Sequence, residues 1–193
     1  DQIYVLNKVR DEEVTRRILN APEMQGISIE HIENYEHLSQ LEFVDTGDYF
    51  NDAPANILHG RNLLYIRNVS SPVVEEPERA GRVSLEVFKR DEGRVFNVKM
   101  GGMCVYKCHY CYMYGANVRT YPVAVNANVP HIQRKMTQIA EESGGRLCIF
   151  NLGEHTDSLA LDHLTQMTKD FIPFVKTLPN SQIELRTKSA NVQ

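Results

Sequence analysis

Cys104-Val105-Tyr106-Lys107-Cys108-His109-Tyr110-Cys111 places three cysteines within eight residues, with three and then two residues between them. The stretch follows an expected strand, Arg94–Lys99, and the pair Gly101-Gly102. Thiolates are soft ligands that iron–sulfur clusters and zinc select. Three is the informative count. A cubane cluster has four irons, so three thiolates leave one iron open to nitrogen and oxygen ligands.

Two plainer readings compete. Cys108-x-x-Cys111 is also a zinc half-site, but zinc needs a second half-site, and the remaining cysteine, Cys148, stands alone. His109 lies between two of the candidate ligands. A disulfide framework suits small, cysteine-dense secreted chains, and four cysteines in 193 residues is not dense.

The composition, 42% hydrophobic and 24% charged, is that of a globular chain able to bury a core. No apolar run approaches the ~20 residues of a membrane span, so no membrane partner is expected. Asp1–Val5 has neither a basic nor an apolar leader pattern and no initiating Met, which suggests a trimmed chain. Free thiols beside a reducible cluster point to the cytoplasm. A net charge of −4 argues against a broadly basic nucleic-acid surface. Arg119, Arg134 and Lys135 follow the cysteines and read as solvated charges.

Taken in order, Ile3–Leu6 is a short β-rich run. Asp11 is a plausible N-cap for a helix whose stripe is Val14, Ile18 and Leu19. Gly26 stops it, Ile27–Ile32 reads as a strand, and Tyr35–Leu41 as a second helix. Leu63–Val69 reads as one strand among loops, and Val73–Glu78 as an exposed acidic connection. Val83–Phe88 and Val95–Lys99 form an expected hairpin around Arg90-Asp91-Glu92-Gly93. Beyond the cysteines, Tyr121–Val125 is apolar and β-branched. Asn128 caps a helix carrying Ile132, Met136, Ile139 and Ala140, which ends at Gly144-Gly145. Leu147–Leu152 reads as a buried strand. A helix starting near Ser158 and interrupted at Pro173 leads to a last strand, Ile183–Thr187.

Strand, cysteine loop, helix, strand, loop, helix, strand is an α/β pattern with a parallel sheet. Ligand sites in such sheets lie at the carboxyl ends of the strands. The cysteine loop, Gly153–Asp157 and Lys188-Ser189 are expected there, on one face. The division expected is residues 1–82 as a small α/β lobe with its connection, and 83–193 as the main α/β body.

The three-cysteine stretch, with an aromatic residue before the third cysteine, resembles the cluster loop of the radical S-adenosylmethionine (SAM) superfamily. Cys104–Tyr114, Phe150–Thr165 and Leu185–Lys188 further resemble its spore photoproduct lyase-like family. The run Thr156-Asp157-Ser158-Leu159-Ala160-Leu161-Asp162-His163-Leu164-Thr165 carries much of that likeness. The first strand and Arg10–Leu19 are similar too, whereas 36–82 match poorly. The resemblance implies a partial (β/α) barrel, of which 83–193 is the first half. It implies a [4Fe–4S] cluster on Cys104, Cys108 and Cys111, with SAM chelated at the open iron. An external electron donor would then drive cleavage to a 5′-deoxyadenosyl radical. Tyr110 would lie against the cluster or adenine, Tyr112 would relay a hydrogen atom, and Thr156 and Lys188 would contact SAM. Each has a plain alternative: packing for the tyrosines, helix capping for Thr156, a surface charge for Lys188.

The resemblance implies repair of a thymine photoproduct, with DNA as partner. One departure bears on it. The family's hydrogen-atom donor is a cysteine where this chain has Glu154, and a carboxyl O–H bond is too strong for that task. Cys148, inside the strand, reads as a core residue. The alternatives kept open are a radical SAM enzyme on a non-DNA substrate, and a non-catalytic cluster- or zinc-binding module. An incomplete barrel would expose an unpaired edge, so its other half is expected from further chain or from a second chain.

Overall fold

The computed structural model describes residues 2–34, 63–69, 74–76, 93–106, 108, 110, 111 and 123–190. In chain order the elements are β1 (Gln2–Leu6), α1 (Glu13–Asn20), β2 (Ser28–Ile32), β3 (Leu63–Arg67), β4 (Val74–Glu75), β5 (Gly93–Val98) and β6 (Gly101–Gly102). They continue with β7 (Val123–Asn126), α2 (Val129–Glu142), β8 (Leu147–Asn151), α3 (Asp162–Thr165), α4 (Met167–Val175) and β9 (Ser181–Glu184). Two compact units interleave along the chain. One is Asp1–Asn68 with Gly101–Ala127; the other is Val69–Met100 with Asn128–Gln193.

In the first unit the strand order is β2-β1-β3-β7-β6, parallel except for β6. Ile3, Tyr4, Val5 and Leu6 are all buried, as expected for an inner parallel strand covered on both faces. β7 is buried throughout for the same reason. β2 lies at the edge and buries only Ile32. The β-branched run after the cysteines is thus a strand, and it pairs with β3 as well as β6; the pairing with β3 is one that local sequence does not reveal.

Helix α1 starts at Glu13, with Glu12 rather than Asp11 at the N-cap position and no side-chain cap. Asp11 pairs with Arg10 at 3.1 Å instead. The buried hydroxyl of Thr15 donates to the Val9 carbonyl at 2.7 Å and ties the helix to the preceding turn. Tyr35–Leu41 and Val83–Phe88 lie outside the described residues.

In the second unit the order is β4-β5-β8-β9, with β5, β8 and β9 parallel and β4 antiparallel to β5. The acidic connection is therefore partly an edge strand. Glu75 pairs with Lys99 at 3.1 Å and Glu76 with Arg94 at 2.6 Å. Phe96 and Phe150, opposite each other on β5 and β8, stack at 5.7 Å between centroids. Helix α2 buries Val129, Ile132, Met136 and Ala140. Ile132 and Met136, both 0% exposed, each contribute about 1.5–3 kcal/mol of burial. Asn128 holds the N-cap position, but its amide is turned to Val69, accepting from its N–H at 3.0 Å and donating to its carbonyl at 2.7 Å. Left-handed Gly144 and Gly145 end the helix, as expected.

The helix expected from Ser158 is broken, and the break is at Gln166 rather than at Pro173. Gln166 adopts φ 52° between α3 and α4. The cause is Asp162, whose carboxylate accepts from the backbone N–H (3.0 Å) and the hydroxyl of Thr168 and so caps α4. Helix α4 runs through Pro173 to Val175. The last strand comes earlier than expected, at Ser181–Glu184.

Candidate functional site

The cysteine stretch belongs to the first unit. It leaves β6 through Met103, which is buried and left-handed at φ 59°. A bulky residue there is uncommon and marks a sharp redirection of the chain. Cys104, Cys108 and Cys111 are free thiols, each half-buried. The Tyr106 N–H points at Cys104 Sγ at 3.5 Å, and the Cys111 N–H closes a turn on the Cys108 carbonyl at 2.9 Å. Tyr110 is 76% exposed. Tyr112 lies outside the described residues.

The donor set fits a soft-metal cluster with one open iron: three accessible thiols, none in a disulfide. Their present arrangement does not gather them. Among the described residues no three His, Cys, Asp or Glu side chains converge as metal ligands.

The loops after β8 and β9 belong to the second unit and are joined by a dense polar network. Buried Asn151 at the end of β8 donates to Asn97 of β5 at 2.9 Å. Its carbonyl oxygen accepts the Gly153 N–H at 2.9 Å. The Ser158 N–H donates to the Arg186 carbonyl at 3.0 Å, while the Arg186 N–H donates to Ser158 Oγ at 2.9 Å. Gly153 sits inside this clasp. A Cβ there would fall 2.7 Å from Arg186 Cβ and 3.0 Å from Ser158 Oγ.

Asp157 is the hub. Its Oδ1 accepts from the N–H groups of Leu159 (3.0 Å) and Ala160 (2.9 Å) and from the Thr187 hydroxyl (2.7 Å). Its Oδ2 accepts the Lys188 N–H at 2.5 Å. The helix-capping alternative for Thr156 is not realised: the helix after it starts at Asp162 with Leu161 at the N-cap position. Thr156 is half-buried and Lys188 exposed, and the Lys188 N–H is tied to the side chain of Asp157, the residue after Thr156. Sequence reading placed Asp157 in a post-strand loop and began a helix near Ser158, but gave neither of them, nor Arg186, a part in joining the two loops. The available signal was Asp-Ser-Leu-Ala, an aspartate two and three residues ahead of open backbone donors.

Glu154 and His155 face each other at 3.4 Å, with His155 left-handed at φ 56°. Cys148 is 0% exposed within β8. Arg134 and Lys135 are exposed on α2, and Arg119 lies outside the described residues. Among the described residues no helix is long and apolar enough to cross a membrane.

Solved structures similar to the chain include a tyrosine-to-phenylalanine mutant of spore photoproduct lyase. It has a TM-score of 0.74 and 14% identity, over 97% of this chain and 49% of that one. Spore photoproduct lyase complexed with dinucleoside spore photoproduct gives 0.71 and 14%, over 94% and 48%. A doubly substituted lyase with bound AdoMet and dinucleoside spore photoproduct gives 0.69 and 15%, over 94% and 48%. The chain has the fold of about half of a spore photoproduct lyase. The α/β fold with parallel strands expected above, and the lyase-like fold that the resemblance implies, are what the described residues show. No protein-family model and no curated protein matches the chain.

Proposed function

We propose that the chain serves a radical SAM enzyme of the spore photoproduct lyase-like group. The observation that carries this reading is the Cys104-x3-Cys108-x2-Cys111 stretch on a chain with that lyase's fold. Cys104, Cys108 and Cys111 would hold a [4Fe–4S] cluster and leave one iron for SAM. Such a cluster, reduced by an external donor, would supply the electron for reductive cleavage of SAM and so for hydrogen abstraction. Tyr110 would lie against the adenine or the cluster. Thr156 and Lys188 would bind SAM, with the Asp157 carboxylate tying their two loops together. Tyr112 would relay a hydrogen atom.

The substrate read from the likeness is a thymine photoproduct in DNA. A second reading, a different substrate, is favoured by Glu154, because a carboxylate cannot return a hydrogen atom as a thiol does. Anaerobic reconstitution followed by electron paramagnetic resonance, with and without SAM, tests the class. A reduced [4Fe–4S] signal that shifts on adding SAM is expected; bound zinc and no cluster would overturn it. Dinucleoside spore photoproduct then separates the substrates. Its repair to thymines supports the DNA reading, and SAM cleavage with no repair supports the other.

A further inference from the structure

The first unit carries a cavity of about 300 Å³ of its own, at the carboxyl ends of three neighbouring parallel strands. Leu6 and Lys8 line it from the end of β1, Glu33 and Asn34 from the end of β2, and Tyr65, Arg67 and Asn68 from the end of β3. The strand order makes this position special. β1 is followed by β2 on one side and by β3 on the other, so the chain's winding reverses between β1 and β3. In open parallel sheets ligands bind in the crevice at such a reversal. Among the described residues, none of the cysteine stretch lines this cavity.

Its charges are arranged to receive something. Glu33 Oε1 is held by the Asn7 side-chain amide at 2.5 Å, which fixes the carboxylate at the rim. Among the described residues its other oxygen has no partner, and neither does the ammonium of Lys8. The two line one cavity without pairing to each other. Arg67 donates from Nε to Asn126 Oδ1 at 2.8 Å, and Gly102 leaves room for its Nη2, which would lie 3.1 Å from a Cβ there. The guanidinium is thereby oriented before any ligand arrives. Tyr65, 2% exposed, supplies an apolar wall.

We infer that this cavity binds a nucleoside monophosphate. Two cations, Lys8 and Arg67, match a dianionic phosphate. A carboxylate at the end of the second strand is placed to accept from vicinal ribose hydroxyls. The volume lies at the lower end of small-ligand sites, which suits a mononucleotide better than a dinucleotide. The inference is independent of the cluster and of SAM.

The test is calorimetric titration of the full chain, without reconstituted cluster, using AMP, adenosine and inorganic phosphate. AMP is expected to bind more tightly than either fragment. Lys8→Met and Glu33→Gln alter exposed side chains, should keep the parent circular dichroism spectrum and should each weaken AMP by about tenfold or more. Lys188→Met should leave it unchanged. No binding of AMP would overturn the inference. So would binding that falls with K188M but not with K8M, which would place the nucleotide at the proposed SAM loops. Phosphate binding as tightly as AMP would overturn the nucleoside assignment.

Discussion

Asp157 and Lys188 are 31 residues apart in sequence, yet the Lys188 N–H donates to Asp157 Oδ2 at 2.5 Å. With the Thr187 hydroxyl on Oδ1, one carboxylate joins the loop after β8 to the loop after β9. Hydrogen bonds to charged groups contribute about 1.5–3 kcal/mol each when sheltered, and less where, as here, the partners meet solvent. Asp157→Ala should therefore destabilise the fold by about 1–2 kcal/mol in urea melts. Amide exchange should rise selectively at 185–189. A uniform rise across the sheet would show that the carboxylate is not the local tie.

Gly153→Ala tests the same clasp from inside. The added Cβ meets Arg186 Cβ at 2.7 Å and the Arg186 carbonyl at 3.2 Å, so backbone has to shift. Overpacking of this kind costs about 1–3 kcal/mol. Chemical shifts should change at Ser158 and Arg186, the two residues the methyl group would push apart. An unchanged melting midpoint would mean the loops are looser than their geometry indicates.

The pair Asn97–Asn151 is buried, 7% and 0% exposed, and the Asn151 amide donates to the Asn97 oxygen. Asn97→Ala removes an acceptor and leaves a buried Asn151 donor unpaired, at about 1–3 kcal/mol. Asn97→Ser tests whether a smaller polar group restores part of that. Equal stability of the alanine variant and the parent chain would show that water fills the gap without cost.

Much of this second unit was legible in the sequence. Leu147–Leu152 is apolar but for Asn151, which reads as a buried parallel strand, and β8 (Leu147–Asn151) is one. Val129–Glu142 has helical spacing between Asn128 and a glycine pair, and α2 follows it. Less legible was whatever depends on one side chain captured by a distant or unexpected partner. Asp162 turning to Thr168 breaks a helix whose apolar pattern runs on unbroken. Asn128 turning to Val69 replaces a cap with a bridge. The pairing of β7 with β3 joins segments about sixty residues apart, and parallel pairing leaves no local turn signal.

Glu76 and Arg94 provide a pH test. The hydrogen bond from Arg94 holds the Glu76 carboxyl below its usual range. A depressed folded-state pKa stabilises above the unfolded value, about 4.3, and that contribution is lost as pH falls through the folded value. The Glu76 side chain is 49% exposed, so screening limits the pair to under about 1 kcal/mol. Glu76→Gln should be slightly less stable than the parent at pH 7, and the two should converge as the pH drops below 4. A gap that persists in acid would mean the charge is not its source.

Cysteine substitutions separate ligands from core. Cys148 is 0% exposed in β8 and its Sγ lies 3.8 Å from the Arg146 carbonyl, so its place is structural. Cys148→Ala removes a small buried group and should cost about 1 kcal/mol with iron content unchanged after reconstitution. Cys104→Ala, Cys108→Ala and Cys111→Ala remove half-buried thiols and should leave stability nearly unchanged. Each should abolish the reduced [4Fe–4S] signal, because two remaining thiolates do not retain a cubane that three hold. Iron loss in the Cys148 variant matching that in the other three would assign a fourth thiolate. The cluster would then have no open iron for SAM, and the enzyme reading would give way to a closed cluster-bearing module.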